Sequence, residues 1–181
     1  MRLNFRDVML NWACAECASP RWHMKYDGIV TQETQNKIAF TPRFDGRTLP
    51  LNQQDALIAC MKKYRASLID PYLAETSNYT VEKFVVDDIA NLKIMHEMHW
   101  QDAPMLLKEF AYKPRDPLFV GDPRVVSDAI CLKEGLIFSG MPIVVHLNNE
   151  QKLTLIEGYA RSLAFLQKAR SGDSINVIVC R

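Results

Sequence analysis

The chain has 181 residues, of which 48% are hydrophobic and 24% charged, enough to bury a core without disulfide or metal staples. Its 22 basic and 21 acidic residues leave a formal net charge of +1, so no global field draws in nucleic acid and any such binding has to come from a local patch. Five cysteines, at positions 14, 17, 60, 131 and 180, and eight methionines point to a reducing compartment, the cytoplasm; the charged start, with Arg2, Arg6 and Asp7, does not read as a signal peptide, and no segment approaches the roughly 18 apolar residues of a membrane span.

In chain order, residues 3–17 suit a short helix that the run around Ser19-Pro20 stops. Residues 34–51, with two prolines and a glycine, read as loop and short strand. A clear helix follows, with Asn52 as its cap and Ala56, Leu57, Cys60, Met61, Tyr64 and Leu68 at three- and four-residue spacing until Asp70-Pro71 ends it. Leu57, Cys60, Met61 and Tyr64 are its expected buried stripe. The polar stretch 75–80 is a candidate boundary. Beyond it Val81, Phe84, Val85 and Val86 suit a strand leading into a short helix at about 88–96.

Proline-rich 103–119 offers no clear element. Residues 121–140 predict a helix with Val125, Val126, Ala129, Ile130 and Leu132 on its apolar side, stopped near Gly135. Then come a strand over 141–147, a hairpin turn at 148–151 and a second strand over 152–156. A helix is expected from Tyr159 to about Arg170, with Leu163, Ala164, Phe165 and Leu166 apolar and Gly172 as its stop, and a last strand over 175–180. The pattern predicts an α/β (α+β) domain over 79–181, a small mixed sheet with helices, preceded by an extension over 1–78 with at least one helix.

The passage from strand to helix at Glu157-Gly158 carries the chemistry. Such a turn aims free backbone N–H groups outward where the helix dipole is positive, and Gly158 lets another group approach the backbone closely. Arg161 lies in the first helical turn, where a cation is unfavourable by a few tenths of a kcal/mol, so it needs a negative partner. That partner is either a phosphate or Glu157, four residues earlier, in a pair worth about 0.2–0.5 kcal/mol if exposed.

The order of a helix ending in glycine, the strand Pro142-Ile143-Val144-Val145, a hairpin, a second strand, acid-Gly-x-x-Arg opening a helix, and a final strand resembles the ParB/sulfiredoxin-like superfamily (ParB N-terminal or ParB-like nuclease domain). The likeness spans roughly 79–181 and is strongest from Val125 onward. It implies a nucleotide-phosphate pocket at the turn, with Gly158 and Arg161 carried over as phosphate ligands, Tyr159 and Ala160 as the nucleotide-binding positions between them, and Glu157 as the candidate catalytic acid. It also implies a nucleoside triphosphate, ATP or CTP, with Mg²⁺, and an NTP-hydrolysing or DNA-processing activity.

Tyr159-Ala160 stands where partition proteins carry Glu-Arg and where nuclease-like or sulfiredoxin-like members carry a histidine. Neither the second arginine-bearing phosphate motif nor the helix-turn-helix module of partition proteins is found, so the likeness is to the domain and not to a complete partition protein. The alternative is a catalytically degenerate member serving as a protein- or DNA-interaction module. The expected partners are a nucleotide, DNA or a protein through residues 1–78, and a second copy of the chain, with no membrane.

Other constellations are less complete. Cys14 and Cys17 form a C-x-x-C with no second pair, and His23 is the nearest third ligand, so no metal site is assigned. His96 and His99 flank Glu97 without the H-E-x-x-H spacing. Basic Lys62 to Arg65, and Lys113 with Arg115, are either nucleic-acid contacts or solvated faces.

Overall fold

The computed structural model describes residues 1–19, 21–73, 77–94, 105–115, 121–134, 140–147 and 151–181. They fall into two compact units, one comprising residues 2–79 together with Gly140 and Met141, the other Met1 with 80–136 and 142–181.

The first unit is helical. After a short strand β1 (Arg2–Leu3), helix α1 (Phe5–Ala18) starts on a capping box: Asn4 accepts from the Asp7 N–H at 2.8 Å and Asp7 from the Asn4 N–H at 3.2 Å. Apart from Asn11, α1 is buried from Val8 to Ala18, as expected of a helix apolar on all sides. Its small residues let the chain close in. A Cβ on Gly46 would lie 2.7 Å from Cys14 Sγ and 2.8 Å from Leu10 Cγ, so any larger residue there must displace the buried side chains of α1.

Glu16, 3% exposed, is the polar centre of this unit. It accepts from Trp12 Nε1 at 3.3 Å and Tyr26 Oη at 3.0 Å, and pairs with Arg65, which satisfies a buried carboxylate. Burial, and then Glu16 itself, push the Tyr26 hydroxyl pKa upward.

Residues 34–51 differ from the loop and strand expected of them. Most of the first part is helix α2 (Gln32–Phe40), capped by Thr31, whose side chain accepts the Thr34 N–H at 3.2 Å. Its buried face is Thr34, Gln35 and Ile38, too polar to register as an apolar stripe. Helix α3 (Leu51–Ile69) is present, yet its cap position is Pro50 and Asn52 lies inside the first turn. Proline's fixed φ suits a helix start. Leu57, Cys60 and Met61 are buried as expected, but Tyr64 remains 39% exposed.

The second unit is a layered α/β structure. Its strands are β2 (Tyr79–Val85, from Thr80 onward), β3 (Lys93–Ile94), β4 (Ile143–His146), β5 (Leu153–Glu157) and β6 (Ser174–Cys180), in the sheet order β2-β6-β4-β5-β3. Met1 belongs to this unit, its carbonyl accepting the Val81 N–H at 2.8 Å. Strands β4 and β5 are antiparallel, with Val144 opposite Leu155 and His146 opposite Leu153, while β4/β6 and β3/β5 are parallel. Val144, Val145, Leu155, Ile156, Val177, Ile178 and Val179 are all buried. Strands buried on both faces read as continuous apolar runs, which is why these were visible in the sequence.

Helix α4 (Val86–Ala90) begins two residues earlier than expected, with Asp88 accepting the Val85 N–H at 2.9 Å, and ends before β3. Helix α5 (Leu107–Tyr112) occupies part of the proline-rich stretch. Helix α6 (Pro123–Glu134) buries Val126 and Ile130 but turns Val125 outward. At its start burial alone would raise the Asp122 carboxyl, but hydrogen bonds from Arg124 hold it below the ordinary carboxylate range. Helix α7 (Tyr159–Lys168) ends at an Ala169 cap, earlier than predicted, and Gly172 lies beyond it in a separate turn. The expected stop at Gly135, the hairpin tip at 148–150 and the site at His96, Glu97 and His99 lie outside the described residues.

Candidate functional site

All five residues singled out at the β5–α7 turn lie together, because the strand runs into the helix with no loop between them. Glu157 is the last residue of β5 and Gly158 the cap of α7. Gly158 has φ +98°, in the left-handed region that favours glycine, and supplies no side-chain cap. The first intrahelical bond is Ser162 N–H to the Gly158 carbonyl at 2.8 Å. The N–H groups of Tyr159, Ala160 and Arg161 precede it and point along the positive end of the dipole.

Two of the five have structural work. Tyr159 is buried and its hydroxyl donates to the Leu155 carbonyl at 2.7 Å, so the side chain is folded back onto β5. The close approach that Gly158 permits is made by Pro142: a Cβ on Gly158 would lie 2.8 Å from both Pro142 Cα and Cβ. The β4/β5 register puts Ile143 opposite Glu157 and hence Pro142 beside Gly158, and the Pro142 carbonyl is held by the Ile178 N–H of β6 at 2.8 Å. Ala160 is half-buried and brings only its backbone.

Arg161 is 7% exposed, against the surface position its polarity predicts. One Nη donates to Glu157 at 2.7 Å, so the intrahelical pair exists and is largely buried. Nε of Arg161 and Oγ of Ser162, the next residue, are buried without a partner among the described residues, as is Oγ1 of Thr154 in β5. Unpaired buried donors are rare, and each requires an explanation. The turn therefore brings together the backbone N–H groups of Ala160 and Arg161 and the buried Arg161 guanidinium, with one carboxylate at its border. Phosphate oxygens fit that donor set. A single carboxylate already bound to arginine suits Mg²⁺ only as an ion carried in by the phosphates themselves.

Pro142, Ser162 and Thr154 were missed in the sequence. Pro142 read only as the start of a strand, though the antiparallel register would have placed it against Gly158. Ser162 and Thr154 carry no sequence signal.

Cys14 and Cys17 are buried within α1, and burial pushes both thiols up to about 12. Among the described residues no group of three or more His, Cys, Asp or Glu is placed to hold a metal ion. Iodoacetamide at about pH 8 is expected to label half-buried Cys131 in the native protein and to spare Cys14 and Cys17 until denaturant is added. Mass spectrometry showing the three labelled at equal rates would contradict that. Arg115 pairs with Asp128. No described helix is long and apolar enough to cross a membrane.

Comparison with known proteins finds no family model that matches the chain, no similar curated protein and no matching solved structure.

Proposed function

We propose that the second unit is a ParB/sulfiredoxin-like nucleotide-binding module that takes the phosphates of ATP or CTP at the N-terminus of α7. The carrying observation is Arg161: a side chain only 8% exposed, its Nε unpartnered among the described residues, beside an uncapped helix start. The chain order α6, β4, β5, α7, β6 is the order the resemblance implies. In this reading the backbone N–H groups of Ala160 and Arg161 bind phosphate oxygens, and Arg161 Nε makes a charge-assisted bond to one of them. Glu157 shares Arg161 with the incoming anion, so phosphate binding competes with the ion pair and frees the carboxylate for a Mg²⁺ carried by the nucleotide.

The Tyr159 hydroxyl bond and the Pro142 contact favour a second reading, a module that kept the fold for protein or DNA interaction without turnover. Thermal denaturation with ATP, CTP, GTP and UTP, each with and without Mg²⁺, separates the two. Nucleotide at a hundred times its dissociation constant adds about 2.7 kcal/mol of stability, and Arg161→Lys, which keeps a cation opposite Glu157 but removes the fork, is expected to fold and to lose the shift. No shift at millimolar nucleotide leaves the interaction module.

A further inference from the structure

Within the first unit, the turn after α1 and the outer face of α3 gather cations around aromatic rings. The 3₁₀ turn His23–Tyr26 and its flank bring Arg21, Trp22 and Lys25, and α3 brings Lys63, Tyr64 and Arg65, while the ammonium group of Lys62 lies over the Phe5 ring instead. The two are tied together by Cys60 Sγ, which donates to the Lys25 carbonyl at 3.2 Å. The ammonium groups of Lys25 and Lys63 lie 5.2 and 5.6 Å from the centre of the Tyr64 ring. The guanidinium groups of Arg65 and Arg21 lie 4.1 and 4.8 Å from that of Trp22.

Acids are scarce on this face. Neither 21–26 nor 62–65 contains one. Glu16, which faces Arg65, is buried and shared with Trp12 and Tyr26. Asp27, just past the turn, accepts from Gln35 at 3.3 Å. In a chain of net charge +1, such a concentration is not a by-product of overall basicity. It also explains why Tyr64, at the stripe position expected to be buried, stands partly in solvent: its ring is flanked by ammonium groups whose hydrated heads stay outside.

We propose that this face binds single-stranded nucleic acid, with Lys25 and Lys63 tracking phosphates and with the Tyr64 ring and the exposed Arg21 plane on Trp22 receiving base faces, while Arg65, held by buried Glu16, fixes the Trp22 ring from within. The choice among polyanions rests on the rings. An acidic protein would use the cations alone, and a duplex keeps its base faces stacked inside. No residue of the Gly158 turn takes part, so the proposal stands independently of nucleotide binding there.

Fluorescence anisotropy of a labelled oligo(dT) of about 20 nucleotides, titrated with the full chain at low and raised salt, tests it. Binding is expected to weaken as salt rises, and Lys25→Ala/Lys63→Ala is expected to reduce the log–log salt slope by about 1.4, about 0.7 for each lost phosphate contact on a single strand. Tyr64→Ala is expected to weaken binding on the order of tenfold or more, and Tyr64→Phe to restore it. Circular dichroism confirms that the variants fold. Failure to bind the oligonucleotide at micromolar protein overturns the proposal. So does binding that Tyr64→Ala leaves unchanged, which marks a general polyanion surface, or a matched duplex bound as tightly as the single strand.

Discussion

Arg161→Ala is expected to destabilise the second unit by about 3–5 kcal/mol, the usual consequence of stripping one partner from a buried ion pair. The side chains of Arg161 and Glu157 are 8% and 17% exposed and meet at 2.7 Å. Removing the guanidinium leaves the Glu157 carboxylate uncompensated beside apolar β5 and α7. Had the pair been on the surface, its loss would cost only about 0.2–0.5 kcal/mol, so the size of the effect reports burial. Glu157→Gln removes the other charge while keeping an acceptor for the arginine, and the double variant Glu157→Gln/Arg161→Ala is expected to recover much of the loss. Urea denaturation of the four proteins as a cycle measures this. A cost under about 0.5 kcal/mol for Arg161→Ala would place the pair in solvent and remove the buried donor on which the proposed anion site rests.

Gly158→Ala is the second large expected effect, about 2–5 kcal/mol. Left-handed backbone costs an L-residue roughly 1–2 kcal/mol, and overpacking against fixed neighbours adds about 1–3 kcal/mol. The neighbour is fixed here: the new Cβ would stand 2.8 Å from Pro142 Cα, a backbone atom anchored to β6 through the Pro142 carbonyl. Gly172 is the internal control, with φ +94° and nothing within 4 Å of an added Cβ, so Gly172→Ala is expected to cost the backbone strain alone. Thermal melts distinguish them, since 1 kcal/mol moves the midpoint by about 2–4 °C in a chain of this length. Equal shifts for the two substitutions would contradict the packing of Pro142 over Gly158.

These two residues also show what could be read in the sequence and what could not. The hairpin and the turn into α7 were legible because uninterrupted valine and isoleucine runs, a proline and a lone glycine report local backbone demands. Helix α2 was not, because its buried side is filled by Thr34 and Gln35 and burial there is decided by neighbouring elements. Tyr64 failed as a core residue for the converse reason: apolar spacing placed it on the stripe, while Lys25, distant in sequence, draws its ring to the surface. At the site, the i,i+4 spacing announced the Glu157–Arg161 pair. Its burial, which turns a weak surface contact into a costly one, depends on packing that no local pattern encodes. The same holds for Pro142, whose contact with Gly158 exists only once the strand register is set.

The proposed bond between Arg161 Nε and a phosphate oxygen is read most directly in a ¹⁵N spectrum of the arginine Nε–H groups, with the Arg161 signal assigned by its absence in Arg161→Lys. On titration with ATP or CTP in the presence of Mg²⁺ that signal is expected to move downfield as a charge-assisted bond forms, along with the backbone amides of Ala160 and Arg161. A nucleotide that binds while the Arg161 Nε–H signal and those amides stay in place, or the absence of any change at millimolar nucleotide, would contradict it.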